Sequence, residues 1–144
     1  MTVVPRPDGT RERVSPPIST EAEPFWDATR ERTLLVQWCP ACDRGIHFPR
    51  AACPTCLGDV LEHRPSTGEG VVYACSTMAS PGNPTMSGRE PYVVALVDLD
   101  EGIRMLTNIV GEDAAAVAPG DPVRVAWEPL EDARHLPVFV RIKA

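Results

Sequence analysis

Long apolar runs are absent from this sequence, aromatic residues make up only 6%, and basic residues are outnumbered. No stretch approaches the roughly 18 consecutive apolar residues that a membrane-spanning helix needs. Residues 1–24 show no basic segment followed by an apolar one, as a secretory signal would. Fourteen basic against twenty acidic residues give a formal net charge of −6, which argues against binding to a nucleic-acid backbone as the main task. We therefore expect a cytoplasmic chain without a membrane partner.

Proline and glycine are abundant, with 16 and 10 residues among 144. Both residue types interrupt regular structure, so their number predicts short elements and many turns. Because aromatic residues are few, a core must come mostly from Val, Leu, Ile and Ala. The length fits one globular domain or two very small units.

Four of the five cysteines form two C-P-x-C knuckles, Cys39 with Cys42 and Cys53 with Cys56. Two such pairs on adjacent hairpins can present four thiolates to one tetrahedral ion. Four thiolates also close the coordination sphere and leave no position for a reactive water, which indicates structural rather than catalytic Zn²⁺. The alternatives are disulfides or a thioredoxin-like redox pair, and the nearby prolines leave little room for the helix that the redox pair requires.

The pattern divides the chain into a proline-rich flexible or extended arm (1–19), a helix (20–32), a zinc ribbon (33–66) and an OB-fold domain (67–144). Thr20 to Glu23 match a capping box, and Pro24 suits a first helical turn. Phe25 and Trp26 either pack on their own chain or form an exposed patch for a partner protein.

The pattern after Gly68 changes to the period of two that is typical of strands. Five strands are predicted, at 71–78, 92–99, 103–110, 123–128 and 137–142, with a short helix at 112–117 before the fourth. That order is the order of an OB-fold barrel. The fold class is therefore mainly β: an N-terminal helix, a zinc ribbon and a five-stranded OB-fold barrel.

The 13-residue loop 79–91 joins the first two barrel strands and borders the ligand face of an OB-fold. Arg89 and Tyr92, at its end, are candidate ligand contacts. Arg89 is either a solvated loop arginine or a contact for an anionic phosphate, whose geometry matches the guanidinium fork.

No set of residues assembles a complete active site, so we predict no catalytic residues in this chain. Cys75 with a histidine could form a nucleophilic pair, but it lies in an apolar strand where a free cysteine usually acts as a small hydrophobe. His47 and His63 flank the ribbon and are either structural or hydrogen-bonded to the zinc thiolates.

Several short segments resemble the sequence motifs of a widespread bacterial and archaeal family that long carried a "domain of unknown function" label. They are Pro24–Trp26, Leu34–Cys42, Phe48–Cys56, Gly68–Tyr73 and Pro91–Gly102. Members join an N-terminal helix, a rubredoxin-like zinc ribbon and a C-terminal OB-fold. The resemblance covers about 20–142, and one departure is Asp43, where the family often has glycine.

The resemblance implies a role as accessory subunit of thiolase-superfamily enzymes: thiolases, acyltransferases, or lipid-transfer-protein-like aldolases that shorten steroid side chains. The partner would carry the catalytic residues, and this chain would stabilise it and help to shape a channel for acyl-CoA at the shared interface. Two rival interpretations remain, a nucleic-acid-binding OB-fold module and an independent enzyme that uses Cys75.

Overall fold

The computed structural model describes residues 2–143, which form one α-helix and eight strands. The helix is α1 (Glu23–Arg30), and the strands are β1 (Leu35–Cys39), β2 (Arg44–Ile46), β3 (Glu62–Pro65), β4 (Glu69–Met78), β5 (Tyr92–Leu99), β6 (Arg104–Val110), β7 (Pro122–Pro129) and β8 (His135–Arg141). The predicted class, mainly β with a helix, a ribbon and a five-stranded barrel, is confirmed.

Helix α1 begins differently from the prediction. A 3₁₀ turn, Thr20–Ala22, precedes it, and neither Ser19 nor Ala22 makes a side-chain cap, so the capping box does not form. Pro24 lies in the first turn as expected. The helix ends at Arg30, and Arg32 adopts a φ of 54° in the turn that leads into β1.

The ribbon is a three-stranded antiparallel sheet in the order β2-β1-β3. Gln37 at its centre pairs with Ile46 on one side and His63 on the other. Strand β2 has only three residues and runs against the barrel: a Cβ on Gly45 would lie 2.5 Å from Ile103 Cγ2. Glycine at this position therefore permits close packing of ribbon on barrel.

The barrel closes in the order β4-β5-β6-β8-β7, with β6 and β8 parallel and the other pairs antiparallel. Gly102 turns the β5–β6 hairpin at a φ of 85°, where glycine carries no side-chain penalty. The helix predicted at 112–117 is a single 3₁₀ turn, Ala114–Ala116.

One apolar core runs through the barrel and beneath α1 and β1. Phe139 and Trp127 are its largest fully buried side chains, and Phe25, Leu34 and Val36 extend it out of the barrel. The ribbon has a separate, much smaller cluster of Cys39, Ile46 and Cys53. The metal site therefore lies in the lobe with the smaller core.

The N-terminal arm is extended and lies against the barrel. The Val4 amide donates to the Trp127 carbonyl at 2.8 Å, and the Trp127 amide donates to the Thr2 carbonyl at 2.9 Å. Arg134 donates to the Pro16 carbonyl at 2.8 Å. Composition indicated extension, but the partners of the arm lie more than a hundred residues along the chain.

Candidate functional site

The four knuckle cysteines converge at the tip of the ribbon, with their sulfurs all within 4.8 Å of one another. The Cys39 and Cys56 sulfurs are 3.7 Å apart, and those of Cys42 and Cys53 are 3.9 Å apart. Four sulfurs arranged tetrahedrally at 2.3 Å from one zinc ion would be separated by about 3.8 Å. The donor set therefore fits Zn²⁺, and the predicted structural zinc cofactor is supported by this geometry.

Turns of fixed geometry place these sulfurs. The first knuckle closes the β1–β2 hairpin, with Asp43 at a φ of 51°. In the second, the Leu57 amide donates to the Cys53 carbonyl at 2.8 Å, and the Cys53 amide donates to the Gly58 carbonyl at 2.8 Å. In the first knuckle, Asp43 stands where the family often has glycine, and the turn still forms. A non-glycine residue adopts this positive φ at a small cost.

The Gln37 side chain, in the central strand β1, bonds to the backbone of the segment that joins the two knuckles; we call this contact the clamp. Its side-chain amide donates to the Arg50 carbonyl at 2.8 Å, and its side-chain carbonyl accepts from the Arg50 amide at 2.8 Å. Gln37 is buried, so this pair of hydrogen bonds is shielded from water. The chain between the knuckles is thereby held to the central strand of the ribbon.

The sulfurs differ in their environments. Cys39 and Cys53 are buried, while Cys56 is exposed. Backbone amides of Cys56 and Thr55 lower the pKa of the Cys53 thiol to about 6, which favours the thiolate that a metal requires. Before a metal binds, hydrogen bonding with the Cys56 thiol raises the pKa of Cys42 to about 12. Metal binding therefore releases protons, and acid opposes it.

Neither ribbon histidine supports the sulfurs directly. Within residues 2–143, no hydrogen bond joins His47 or His63 to a cysteine. The His47 ring packs near the rings of Phe25 and Phe48, and its burial lowers its pKa to about 4. We conclude that His47 is neutral and structural at neutral pH.

A groove of about 600 Å³ lies between the arm, α1, the segment after β2 and strand β6. Its wall is largely apolar and includes Ile18, Trp26, Phe48 and Leu106. Phe48 and Leu106 are 66% and 64% exposed. Large exposed apolar side chains that adjoin one another are a mark of interaction surfaces. We call this surface the apolar groove.

Phe25 and Trp26 do not form the exposed patch that the sequence allowed. Phe25 is buried in the core, and the half-buried Trp26 packs against it edge-on with ring centroids 5.0 Å apart. The Arg134 guanidinium lies over the Trp26 ring at 4.9 Å. These two residues therefore form the floor of the apolar groove, and Phe48 and Leu106 are its exposed parts.

Arg89 is not a solvated loop arginine, and it is not free to meet a phosphate in open solvent. Its side chain is 5% exposed and donates to Glu128 at 2.7 Å. A second arginine, Arg13 of the arm, donates to the other oxygen of the same carboxylate. Tyr92 donates its hydroxyl to the Pro81 carbonyl at 2.7 Å, so it braces the loop 79–91.

Cys75 lies half-buried against the barrel core, and its thiol is 3.7 Å from the Val117 carbonyl. No histidine is among its hydrogen-bond partners in residues 2–143. This position matches the interpretation of Cys75 as a small hydrophobe.

Sequence reasoning missed Phe48 and Leu106 as surface residues and Arg13 with Glu128 as a buried pair. Leu106 had a local signal, because it is an apolar residue at an outward position of an alternating strand, β6. Arg13 and Glu128 had none, since 115 residues separate them.

Two family models match consecutive parts of the chain. Residues 26–62 match the ChsH2 rubredoxin-like zinc ribbon domain, and residues 63–128 match the ChsH2 C-terminal OB-fold domain. Their common boundary lies at β3, where the ribbon leads into the barrel. No helix in residues 2–143 is long and apolar enough to cross a membrane.

Curated relatives include two hydratase subunits. A probable enoyl-CoA hydratase alpha subunit of Thermomonospora curvata is 34% identical over 93% of this chain, and a 3-oxo-4,17-pregnadiene-20-carboxyl-CoA hydratase alpha subunit of Mycobacterium tuberculosis is 34% identical over 81% of it. The chain spans about two fifths of the length of each, 41% and 40%. A DUF35 domain-containing scaffold protein of Methanothermobacter thermautotrophicus is 31% identical, with 78% of this chain and 86% of that protein covered.

Solved structures agree with these relatives. A chain in the structure of the Ltp2-ChsH2(DUF35) aldolase superposes with a TM-score of 0.78 and 34% identity, covering 88% of this chain and 98% of that one. A DUF35-family protein of unknown function from Sulfolobus solfataricus shares the fold alone, with a TM-score of 0.57 and 16% identity over 74% of this chain and 77% of that one. With its ribbon, its barrel and a relative matched over most of its length, this chain belongs to the ChsH2, or DUF35, family.

Proposed function

We propose that this chain is a non-catalytic subunit that binds and stabilises a thiolase-fold partner and helps to form the partner's acyl-CoA channel. The partner is a thiolase, an acyltransferase or an acyl-CoA aldolase of lipid or steroid side-chain degradation. The proposal rests mainly on the similarity of this chain to a chain of the Ltp2-ChsH2(DUF35) aldolase. The two are 34% identical, and the match covers 98% of the aldolase chain. A relative described as a DUF35 domain-containing scaffold protein supports the same role.

The apolar groove supports partner binding on physical grounds. Phe48 and Leu106 stand largely in water in the isolated chain, and burying them against a partner would release that water. Phe25 and Trp26 form the floor of the groove, where Phe25 belongs to the core and Trp26 packs against it.

The cysteine chemistry supports a cytoplasmic location. Four thiolates serve as metal ligands only where they stay reduced, and the cytoplasm keeps thiols reduced. Acyl-CoA degradation in the cytoplasm would place the chain beside its partner.

The test is co-expression of the zinc-loaded chain with each thiolase-fold protein of the same genome. We expect one of them to co-elute with this chain at constant stoichiometry and to gain soluble yield and acyl-CoA turnover. Phe48→Asp and Leu106→Asp place charges in the groove and should abolish co-elution. Leu57→Asp is the matched control, because Leu57 is 78% exposed on the ribbon and does not line the groove.

Failure of every thiolase-fold protein to co-elute would overturn the proposal. Unchanged yield and turnover in the presence of this chain would overturn the stabilising role. Equal loss of co-elution in all three variants would remove the groove as the contact surface.

A further inference from the structure

We propose that the zinc ribbon is a redox switch, in which hydrogen peroxide or a related peroxide oxidises Cys56, Cys56 forms a disulfide with Cys39, and the metal is lost. The four sulfurs of the ribbon are close together, but their surroundings differ. Those differences single out one sulfur for attack and a second one to complete the disulfide.

Cys56 is the sulfur that a small oxidant in solution reaches most readily. It is exposed, whereas Cys42 is half-buried and Cys39 and Cys53 are at most 1% exposed. Gly58 beside it has no side chain to cover the sulfur, and a Cβ there would lie 3.3 Å from Cys56 Sγ. Because oxidation of cysteine depends on exposure as well as on thiolate character, Cys56 is the first sulfur to react.

Hydrogen bonding to the backbone also distinguishes Cys56. The Thr55 amide donates to Cys53 Sγ at 3.4 Å and draws off part of that sulfur's negative charge. Within residues 2–143, no backbone amide donates to the Cys56 sulfur. The Cys56 thiolate therefore keeps more of its charge, and the thiolate is the form of cysteine that attacks an oxidant.

The Cys39 sulfur is placed to complete the reaction, since it lies 3.7 Å from Cys56 Sγ. The Cys56 thiolate first attacks one peroxide oxygen, the O–O bond breaks, and a sulfenic acid and a hydroxide ion form. The Cys39 thiolate then attacks the Cys56 sulfur, the S–O bond breaks, and a second hydroxide ion leaves. Two thiolates are oxidised to one disulfide, while one hydrogen peroxide molecule is reduced to two hydroxide ions.

The disulfide removes two of the four ligands, and the remaining pair, Cys42 and Cys53, cannot close a tetrahedral site. The segment between the knuckles contributes Phe48 to the wall of the apolar groove. The ribbon's own cluster of Cys39, Ile46 and Cys53 is too small to hold that segment without the ion. Oxidation therefore disrupts the groove and releases the partner, a step that rests on the proposed function.

The experiment treats the zinc-loaded full chain, without any partner, with hydrogen peroxide. A colorimetric zinc indicator follows metal release, dimedone traps the sulfenic acid, and mass spectrometry of peptides locates the disulfide. We expect one zinc ion to leave per chain, dimedone to label Cys56, and the Cys39–Cys56 disulfide to form. Thiol reductant with added zinc should restore the original metal content.

Three variants test the order of attack. Cys56→His removes the exposed sulfur, and Cys42→His is the matched control that removes a half-buried one; three cysteines and one histidine still bind zinc. Zinc release should be at least about tenfold slower in Cys56→His than in Cys42→His. Gly58→Ala changes no ligand but places a methyl group against Cys56 Sγ, so both dimedone labelling and zinc release should be slower than in the original chain.

The switch is overturned if zinc stays bound after peroxide treatment, if dimedone first labels another knuckle cysteine, or if the two histidine variants release zinc equally fast. An unchanged rate in Gly58→Ala would exclude access to Cys56 as the limiting factor. Peroxide that releases zinc but leaves the partner bound would overturn the regulatory step alone. Absence of any thiolase-fold partner would overturn the proposed function and would leave the sulfur chemistry standing.

Discussion

The ribbon and the barrel are both small antiparallel structures, but they are stabilised by different means. The barrel closes on a core that includes the fully buried Trp127 and Phe139. The ribbon buries only Cys39, Ile46 and Cys53 in a cluster of its own. A lobe with so few apolar contacts cannot offset the entropy of ordering its chain, so the metal supplies what the core lacks. The barrel needs no such ion.

Removal of a zinc ligand should have the largest effect, and it should fall on the ribbon. Cys39→Ser deletes a buried sulfur from a site whose metal contributes about 10–16 kcal/mol to folding in comparable small domains. We expect elemental analysis to fall from one zinc per chain to a small fraction, and amide signals of β1–β3 to collapse in NMR spectra.

Cys75→Ser is the control for that variant, because Cys75 lies in the barrel away from the sulfur cluster. It should retain one zinc per chain. Equal zinc loss in both variants would mean that the four knuckle cysteines are not the ligands.

The converse change breaks the barrel and leaves the metal site in place. Phe139→Ala removes a fully buried ring and should lower the free energy of unfolding by about 3–5 kcal/mol. Denaturant titration would measure this loss, while zinc content at room temperature should remain one per chain. Loss of zinc together with the barrel would show that the lobes do not differ as we describe.

Acid should weaken the contact between the lobes through His47. Burial holds the pKa of His47 at about 4, below its usual 6.5, so the unfolded chain binds a proton that the folded chain rejects between these values. Stability is therefore complete above about pH 6.5 and declines as the pH falls toward 4, by at most about 3 kcal/mol.

Because acid also releases zinc, the test compares two chains. The difference in unfolding free energy between the original chain and His47→Phe should shift in favour of the variant from pH 7.5 to pH 5. A difference that does not change with pH would exclude His47 as a source of acid sensitivity.

A smaller effect is expected from the clamp between the knuckles. Gln37→Ala removes both hydrogen bonds to the Arg50 backbone, and at about 0.5–1.5 kcal/mol for each bond the loss is about 1–3 kcal/mol. The midpoint of zinc release by a competing chelator should shift to lower chelator concentration. Gln37→Glu retains only the acceptor, so its midpoint of zinc release should lie between those of the original chain and Gln37→Ala. An unchanged midpoint in both variants would show that Gln37 does not stabilise the metal site.

The parts of this structure that the sequence predicts are those with local signals. The C-P-x-C spacing identified the zinc ligands' positions, and the alternation from Tyr92 to Leu99 coincides with β5. The capping box failed because the backbone at Thr20 enters a 3₁₀ turn, where the expected side-chain cap does not form. Propensity at a helix start is a weak guide when tertiary contacts decide the path of the chain.

Contacts between distant segments left no trace in the sequence pattern. Arg13 lies in a proline-rich stretch that composition marks as flexible or extended, yet its partner Glu128 holds it on the barrel. The sequence allowed Phe25 to be either exposed or buried, and only the position of α1 on the barrel shows that it is buried. The cysteine spacing therefore predicted the metal site, whereas the path of the arm, the apolar groove and the buried Arg13–Glu128 pair could be found only from the fold.

The most direct test of the difference between the lobes is residue-resolved hydrogen exchange before and after zinc is withdrawn by a chelator. We predict that the amides of β1, β2 and β3 lose their protection while those of β5, β6, β7 and β8 keep theirs. Protection lost equally in both lobes, or unchanged in the ribbon, would contradict the account.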